Sequence, residues 1–151
     1  MIRITRETDY GIVLLSRLAS QPVEGIHTAR DLATWAGLPY PMASKILKAL
    51  ARQGVLASQR GARGGYSLAH RPEEISVGDV ISALEGPFGI TECASSPGCC
   101  EQEPICPVRS KWQEISGAVR DFLEKIPLSD LLCPNSLPTI HLDARSSATC
   151  P

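Results

Sequence analysis

A mainly α-helical fold follows from three patterns in this 151-residue chain. Apolar residues recur at steps of three and four in several separate segments, which is helical spacing. One pair of short apolar runs flanks a glycine-rich turn, so the strand content is small. Aromatic residues make up 5% of the chain and apolar residues 43%, so the core of such a fold is aliphatic.

The first helix is expected over residues 6–20, "RETDYGIVLLSRLAS", with Thr5 as its N-cap and Tyr10, Val13, Leu14 and Leu18 facing inward. "QPVEG" breaks it. Thr28 caps a second helix, "ARDLATWAG", with Leu32, Ala33 and Trp35 or Ala36 inward and Gly37 as the stop. "LPYP" is a turn. A third helix, "MASKILKALARQG", carries Ile46, Leu47 and Leu50 on its apolar face and ends at Gly54. Two short helices joined by a tight turn around Gly37 have the shape of a helix-turn-helix. "VLASQ" and "GYSLA" read as strands, and "RGARGG" between them supplies three glycines for the positive-φ positions of a hairpin. A helix-turn-helix followed at once by a hairpin is a winged helix.

"ISVGDVISALEG" adds a short amphipathic helix capped by Ser76. After a cysteine-rich loop, "VRSKWQEISGAVRDFLEKIPL" spaces Trp112, Ile115, Val119, Phe122 and Ile126 as a heptad-like stripe on one helix. Such a stripe needs a partner surface, and a symmetric homodimer supplies one. Residues 133–151 show no periodicity and are expected to form a flexible tail. The expected division is a winged helix-turn-helix DNA-binding domain over 1–75, a short helix with the cysteine loop over 76–108, a long C-terminal dimerisation helix over 109–132, and the tail.

Net charge is −1, yet the charges are segregated. Residues 27–71 hold seven Lys or Arg (Arg30, Lys45, Lys48, Arg52, Arg60, Arg63, Arg71) and one acid, Asp31. From Pro72 onward there are five basic and twelve acidic residues. A local cationic block is the footprint of a polyanion-binding face. The second helix of the helix-turn-helix is placed in the major groove, with Tyr40, Met42, Ser44 and Lys45 nearest the base edges. Lys48 and Arg52 suit phosphates, and Arg60 and Arg63 on the wing reach the minor groove or the backbone. A dimer predicts a palindromic site on double-stranded DNA and a steep salt dependence. No Ser/His/Asp set, Walker loop or nucleotide fingerprint is present, so no enzyme is indicated. No apolar run is long enough for a membrane span, and "MIRITRETDYG" lacks the apolar core of a signal peptide, so a cytoplasmic location is expected.

Four of the six cysteines, Cys93, Cys99, Cys100 and Cys106, lie within one stretch broken by Pro97, Gly98, Pro104 and Pro107. In the reducing cytoplasm a metal or redox site is favoured over disulfides. The loop has no C-x(2–4)-C pair of the kind that usually binds zinc. The adjacent Cys99 and Cys100 point differently and do not suit one ion. Wider spacing suits an iron–sulfur cluster, whose iron corners each take a thiolate. Cys133 and Cys150 lie outside the loop and read as bystanders.

These residues resemble the IscR/NsrR-type winged-helix regulators, the Rrf-two family, from Ile2 to about Leu132. The resembling pieces are "IRITRETDYGI", "RGARGGYSLA", "ISVGDVISALEG", the cysteine loop and "W…FLEKIPLSDLL". The resemblance implies a homodimer on a promoter, with an iron–sulfur cluster (2Fe–2S or 4Fe–4S) near the dimer interface setting DNA affinity. The wing glycines and "TDYG" look most similar to the branch that regulates SUF-type cluster assembly. Cys93-x5-Cys99-x6-Cys106 matches the family's ligand spacing, and Cys100 could substitute for Cys99. IscR-like members carry a histidine where this chain has Arg109, which stays protonated and does not ligate. NsrR-like members use an aspartate that matches Asp9, with Glu7 a weaker candidate. Asp9 also has an ordinary role, as an acid near the positive end of a helix dipole. The family's acidic specificity residue matches Ser44, so that operator does not carry over. Repression by the cluster-loaded form is the family-like expectation. The alternatives are a cluster-based nitric oxide or redox sensor, a thiol-only redox sensor, a zinc-stabilised DNA-binding protein, and a scaffold that stores clusters.

Overall fold

The structure, a computed structural model, describes residues 4–21, 25–61 and 63–132. The expected flexible tail, with Cys133 and Cys150, lies outside the described residues.

Helix α1 runs Arg6–Ala19, and the Thr5 hydroxyl accepts the Thr8 N–H at its start. Helix α2 runs Ala29–Ala36 behind a full capping box between Thr28 and Asp31. It ends at Gly37, φ +66, where the Leu38 N–H reaches back to the Ala33 carbonyl at 2.9 Å. Helix α3 runs Tyr40–Arg52 with Pro41 in its first turn, and Gly54, φ +78, closes it the same way through Val55 N–H to Leu50 O. Strands β1 (Leu56–Gln59) and β2 (Gly65–Leu68) pair antiparallel, with Leu56 opposite Leu68. His27 adds a third rung: its N–H donates to Tyr66 O at 2.9 Å and its carbonyl accepts from Tyr66 N–H at 2.8 Å. Helix α4 (Val77–Glu85) follows a second capping box, Ser76 with Asp79. The order helix-turn-helix, then wing, is the winged helix expected, on a mainly α-helical chain.

The core is aliphatic, as the scarcity of aromatics requires. Leu14, Leu15 and Leu18 of α1 meet Leu32 of α2, with Ile46, Leu47 and Leu50 of α3, and Leu56, Val80 and Leu128 close it. Three readings of the sequence need correction. Tyr10 and Val13 are only half-buried, and Leu15 takes the central place on α1. Trp35 faces outward and packs its ring edge-on to His27 at 5.0 Å. Of the three wing glycines only Gly61 has positive φ, +118. Gly64 and Gly65 are required by contact, because a Cβ there would sit 2.4 Å from the carbonyl oxygens of Gln59 and His27 respectively.

After α4 come a one-turn helix α5 (Glu92–Ser95), a 3-10 turn at Glu103–Ile105 and helix α6 (Arg109–Glu124). The sequence stripe continued to Ile126 and a helix to 132, but α6 stops at Glu124. Pro127 has no N–H to continue a helix, and the chain turns back to the winged domain. Ile126 O accepts from Val77 N–H at 2.8 Å, and Leu128 N–H donates to Ile75 O at 2.7 Å. Leu128 is fully buried in the core, at the start of a last 3-10 turn, Leu128–Leu132.

Candidate functional site

Two regions carry the chemistry. The first is the face formed by α3 and the wing. A groove of about 540 Å³ runs between them, lined by Lys48, Ala51, Arg52, Ser58, Arg60 and Tyr66 among others. Lys48, Arg52 and Arg60 all border it, so its lining is cationic, the sign that suits a polyanion. Burial, with Tyr40 nearby, pushes the Tyr66 phenol above its usual range, so it remains a neutral donor there. Arg63 is exposed on the wing turn beside it.

The start of α3 presents Tyr40 and Met42 to solvent, with Ser44 half-buried. No side chain caps this helix: Pro41 has no N–H to cap, and the Met42 and Ala43 N–H groups both donate to the Pro39 carbonyl at 3.1 Å. Lys45 is exposed but is ion-paired with Glu7 of α1. Arg30, which sequence reasoning did not single out, lies over the Tyr40 ring with its guanidinium carbon 5.9 Å from the centroid. The pair spans α2 and α3, so only the folded turn reveals it.

The second region is the cysteine loop, 93–106. All four thiols are free: Cys93 is buried, Cys99 exposed, and Cys100 and Cys106 half-buried. Cys93 Sγ lies 3.3 Å from Thr91 Oγ1. Thiols of this number and spacing are suitable donors for an iron–sulfur cluster. They do not yet form a finished cage: among the described residues no three His, Cys, Asp or Glu side chains converge as metal ligands. Arg109 is closed to ligation, because its Nη2 is bound to Glu103 Oε1 at 2.7 Å. Of the two carboxylates on α1, Glu7 is engaged by Lys45, whereas Asp9 is exposed and has no side-chain partner among the described residues.

Two further acids were not foreseen. Glu103 is buried within the loop, and Glu85 closes the start of α1. The Glu85 carboxylate accepts Thr8 Oγ1 at 2.6 Å and Thr5 N–H at 2.9 Å. Partial burial alone would raise its pKa, but the hydrogen bonds from Thr8 and Thr5 outweigh that and hold it below the ordinary carboxylate value.

Helix-turn-helix, wing and cationic groove on one face define a winged-helix DNA-binding protein. The model of the Rrf2 family, described as iron-dependent transcriptional regulators, matches residues 4–134, and the chain belongs to that family. It is 33% identical over 140 residues to protein rrf2 of Nitratidesulfovibrio vulgaris, covering 89% of this chain and 93% of that one. Among solved structures it is similar to CymR (YrzC), the global cysteine regulator of B. subtilis, at 30% identity and TM-score 0.66, covering 87% and 97% of the two chains. It is also similar to IscR of T. potens, at 28% identity and TM-score 0.63, covering 87% and 86%. The protein is thus a transcriptional regulator and not an enzyme. No helix among the described residues is long and apolar enough to cross a membrane.

Proposed function

We propose that this regulator binds a palindromic promoter site as a homodimer, and that an iron–sulfur cluster on Cys93, Cys99 and Cys106 sets its affinity. The observation that carries the reading is the loop itself. Four free thiols lie in one segment that runs directly into α6, whose other end is anchored in the core of the DNA-reading domain. Asp9 is the fourth ligand, contributed across the dimer. Its unpaired carboxylate favours it over Glu7, and an oxygen ligand is more labile than a thiolate. Cys100 stands in for Cys99 if that thiol is lost. Bound, the cluster supplies a redox-active, oxidant-sensitive bond between loop segments.

The reading face works as follows. Tyr40, Met42, Ser44 and Lys45 approach base edges, Lys48 and Arg52 hold phosphates along the groove, and Arg60 and Arg63 extend from the wing. Lys45 must exchange Glu7 for DNA. An ordered loop fixes the angle between α6 and the winged domain, and therefore the spacing of two reading helices in a dimer. A released loop relaxes that spacing, so modest disorder changes affinity for a two-half-site operator. The loaded form represses, in the cytoplasm, at genes for cluster assembly.

The second reading is a sensor that oxidises its thiols without a cluster, or a nitric oxide sensor that uses the same cluster. The thiol-only version is favoured by the four free thiols and by the likeness to CymR, a cysteine regulator also solved in an oxidized form. One preparation separates the cluster from the thiol-only version. Protein purified without air is supplied with iron and sulfide, in the wild type and in Asp9→Ala, and followed by Mössbauer spectroscopy and by gel shift on a promoter fragment. Iron and sulfide uptake that weakens or changes spectrum in Asp9→Ala is expected. No uptake by the wild type overturns the cluster. In parallel, Arg60→Ala with Arg63→Ala is expected to weaken promoter binding by roughly 10-fold or more, since phosphate contacts dominate affinity, and unchanged binding overturns the reading face.

A further inference from the structure

Glu103 is one of four buried polar residues among those described, only 6% exposed. Both of its carboxylate oxygens hold a partner. Oε2 accepts the Gly98 N–H at 2.6 Å, and Oε1 meets Arg109 Nη2 at 2.7 Å. The Glu103 N–H donates to the Cys100 carbonyl at 3.0 Å, and the Arg109 N–H to the Cys106 carbonyl at 3.4 Å. One carboxylate therefore ties the residue before Cys99 to the residue three beyond Cys106.

Local helix chemistry does not account for this pair. Arg109 opens α6, where a cation opposes the helix dipole, and no acid in that first turn offsets it. Its Nε is buried without a partner among the described residues. A buried carboxylate is costly unless it is paired and hydrogen-bonded, and Glu103 is both. Pro97–Gly98 and Pro107–Val108 make turns of this loop with Gly or Pro in place, so a charged pair is not needed for turning there. What it adds is a fixed distance between the loop's two arms.

We infer that Glu103 and Arg109 are positioning residues for the thiols. The pair clamps the Gly98–Cys100 arm against the start of α6, so that Cys99 and Cys106 are presented to one soft metal centre. Neither is assigned as a ligand: each carboxylate oxygen already holds a partner that ligation would compete with, and a guanidinium has only donors to offer. The identity of the centre rests on the cluster reading above; the clamp itself does not.

The test uses the full chain, reduced and kept from air, titrated with cadmium(II) alone. Cadmium–thiolate absorption in the ultraviolet reports thiols gathered on one metal without needing iron. Wild type, Glu103→Ala, Arg109→Ala, the double alanine variant, Glu103→Gln and Arg109→Lys are compared, with thermal unfolding followed alongside. Each alanine variant is expected to lose about 10–100-fold in cadmium affinity, as when an outer-shell partner is removed. The double variant should be little worse than either single one, because opening one end already releases the clamp. Glu103→Gln keeps an acceptor for Gly98 and Arg109→Lys keeps a charge, so each should recover part of the loss while the unfolding midpoint stays near wild type. If the alanine variants fail to fold, these two carry the test: wild-type cadmium affinity in both overturns the clamp. So do unchanged affinity in the alanine variants, losses that simply add, or no cadmium uptake by the wild type. Wild type that gathers cadmium but takes up neither iron nor sulfide retires the cluster and leaves the clamp standing.

Discussion

At the scale of single residues, Gly65 shows how the wing depends on an absent side chain. A Cβ there would lie 2.4 Å from the His27 carbonyl oxygen and 2.7 Å from its carbon. Those are backbone atoms, held by the two His27–Tyr66 hydrogen bonds, and they have no rotamer to escape into. Gly65→Ala is therefore expected to force the third rung off the hairpin at a cost of about 1–3 kcal/mol. Denaturant unfolding reads that loss, and promoter affinity should fall with it, since Tyr66 and Arg60 border the same groove. Unchanged stability would mean that the 25–28 segment is not tied to the wing. Reading Gly64 and Gly65 as positive-φ glycines was natural, because a hairpin turn announces itself locally. Their true requirement is a close backbone carbonyl oxygen, Gln59 within the hairpin for Gly64 and the distant His27 for Gly65, and no local pattern states the second. Gly37 and Gly54 were legible because a helix stop needs only the residue itself.

At the scale of elements, the same division separates what was readable from what was not. Thr5, Thr28 and Ser76 cap their helices through partners three residues away, so the elements behind them lay open in the sequence. Glu85, at the end of α4, reaches eighty residues back to the Thr5 N–H at the start of α1. It places a carboxylate at the positive end of α1, the favourable sign. That pairing emerges only when α1 and α4 pack, as does the contact between Arg30 and Tyr40. The folded pKa of Glu85 is lowered, so its stabilisation is fully present above the ordinary value of 4.5 and is lost as pH falls through the lower folded value. Glu85→Gln should therefore unfold at a lower temperature than wild type near pH 7. The difference should shrink as pH drops below about 4.5. Thermal melts of the two proteins across that range check it. A gap that stays constant with pH would assign the loss to packing and not to charge.

At the scale of the whole molecule, α6 is a bar fixed at both ends and bare on one side. The cysteine loop holds its start, and Leu128 drives its far end into the core. Between them Ser116 is the only fully buried residue, its hydroxyl accepting the Ile90 N–H at 3.1 Å. Trp112, Ile115 and Phe122 stand 39%, 44% and 38% exposed on the stripe that the sequence spacing marked. Exposed apolar residues in such an array favour burial against a second copy. Leu128 and the Val77–Ile126 hydrogen bond tie α6 to the domain that carries the cationic groove, so the proposed pairing of two bars would set two faces at one separation. Ile115→Asp puts a charge in the middle of the stripe, far from the cationic groove. It is expected to shift the sedimenting species from dimer to monomer and to weaken promoter binding. The decisive reading is the salt dependence. The slope of log K against log salt is about −0.9 per phosphate neutralised, and a monomer engages one half-site. The variant's slope should therefore fall to roughly half that of the wild type. A monomer with an undiminished slope would mean that one reading face already makes all the phosphate contacts. A dimer of unchanged mass would move the interface away from α6 altogether.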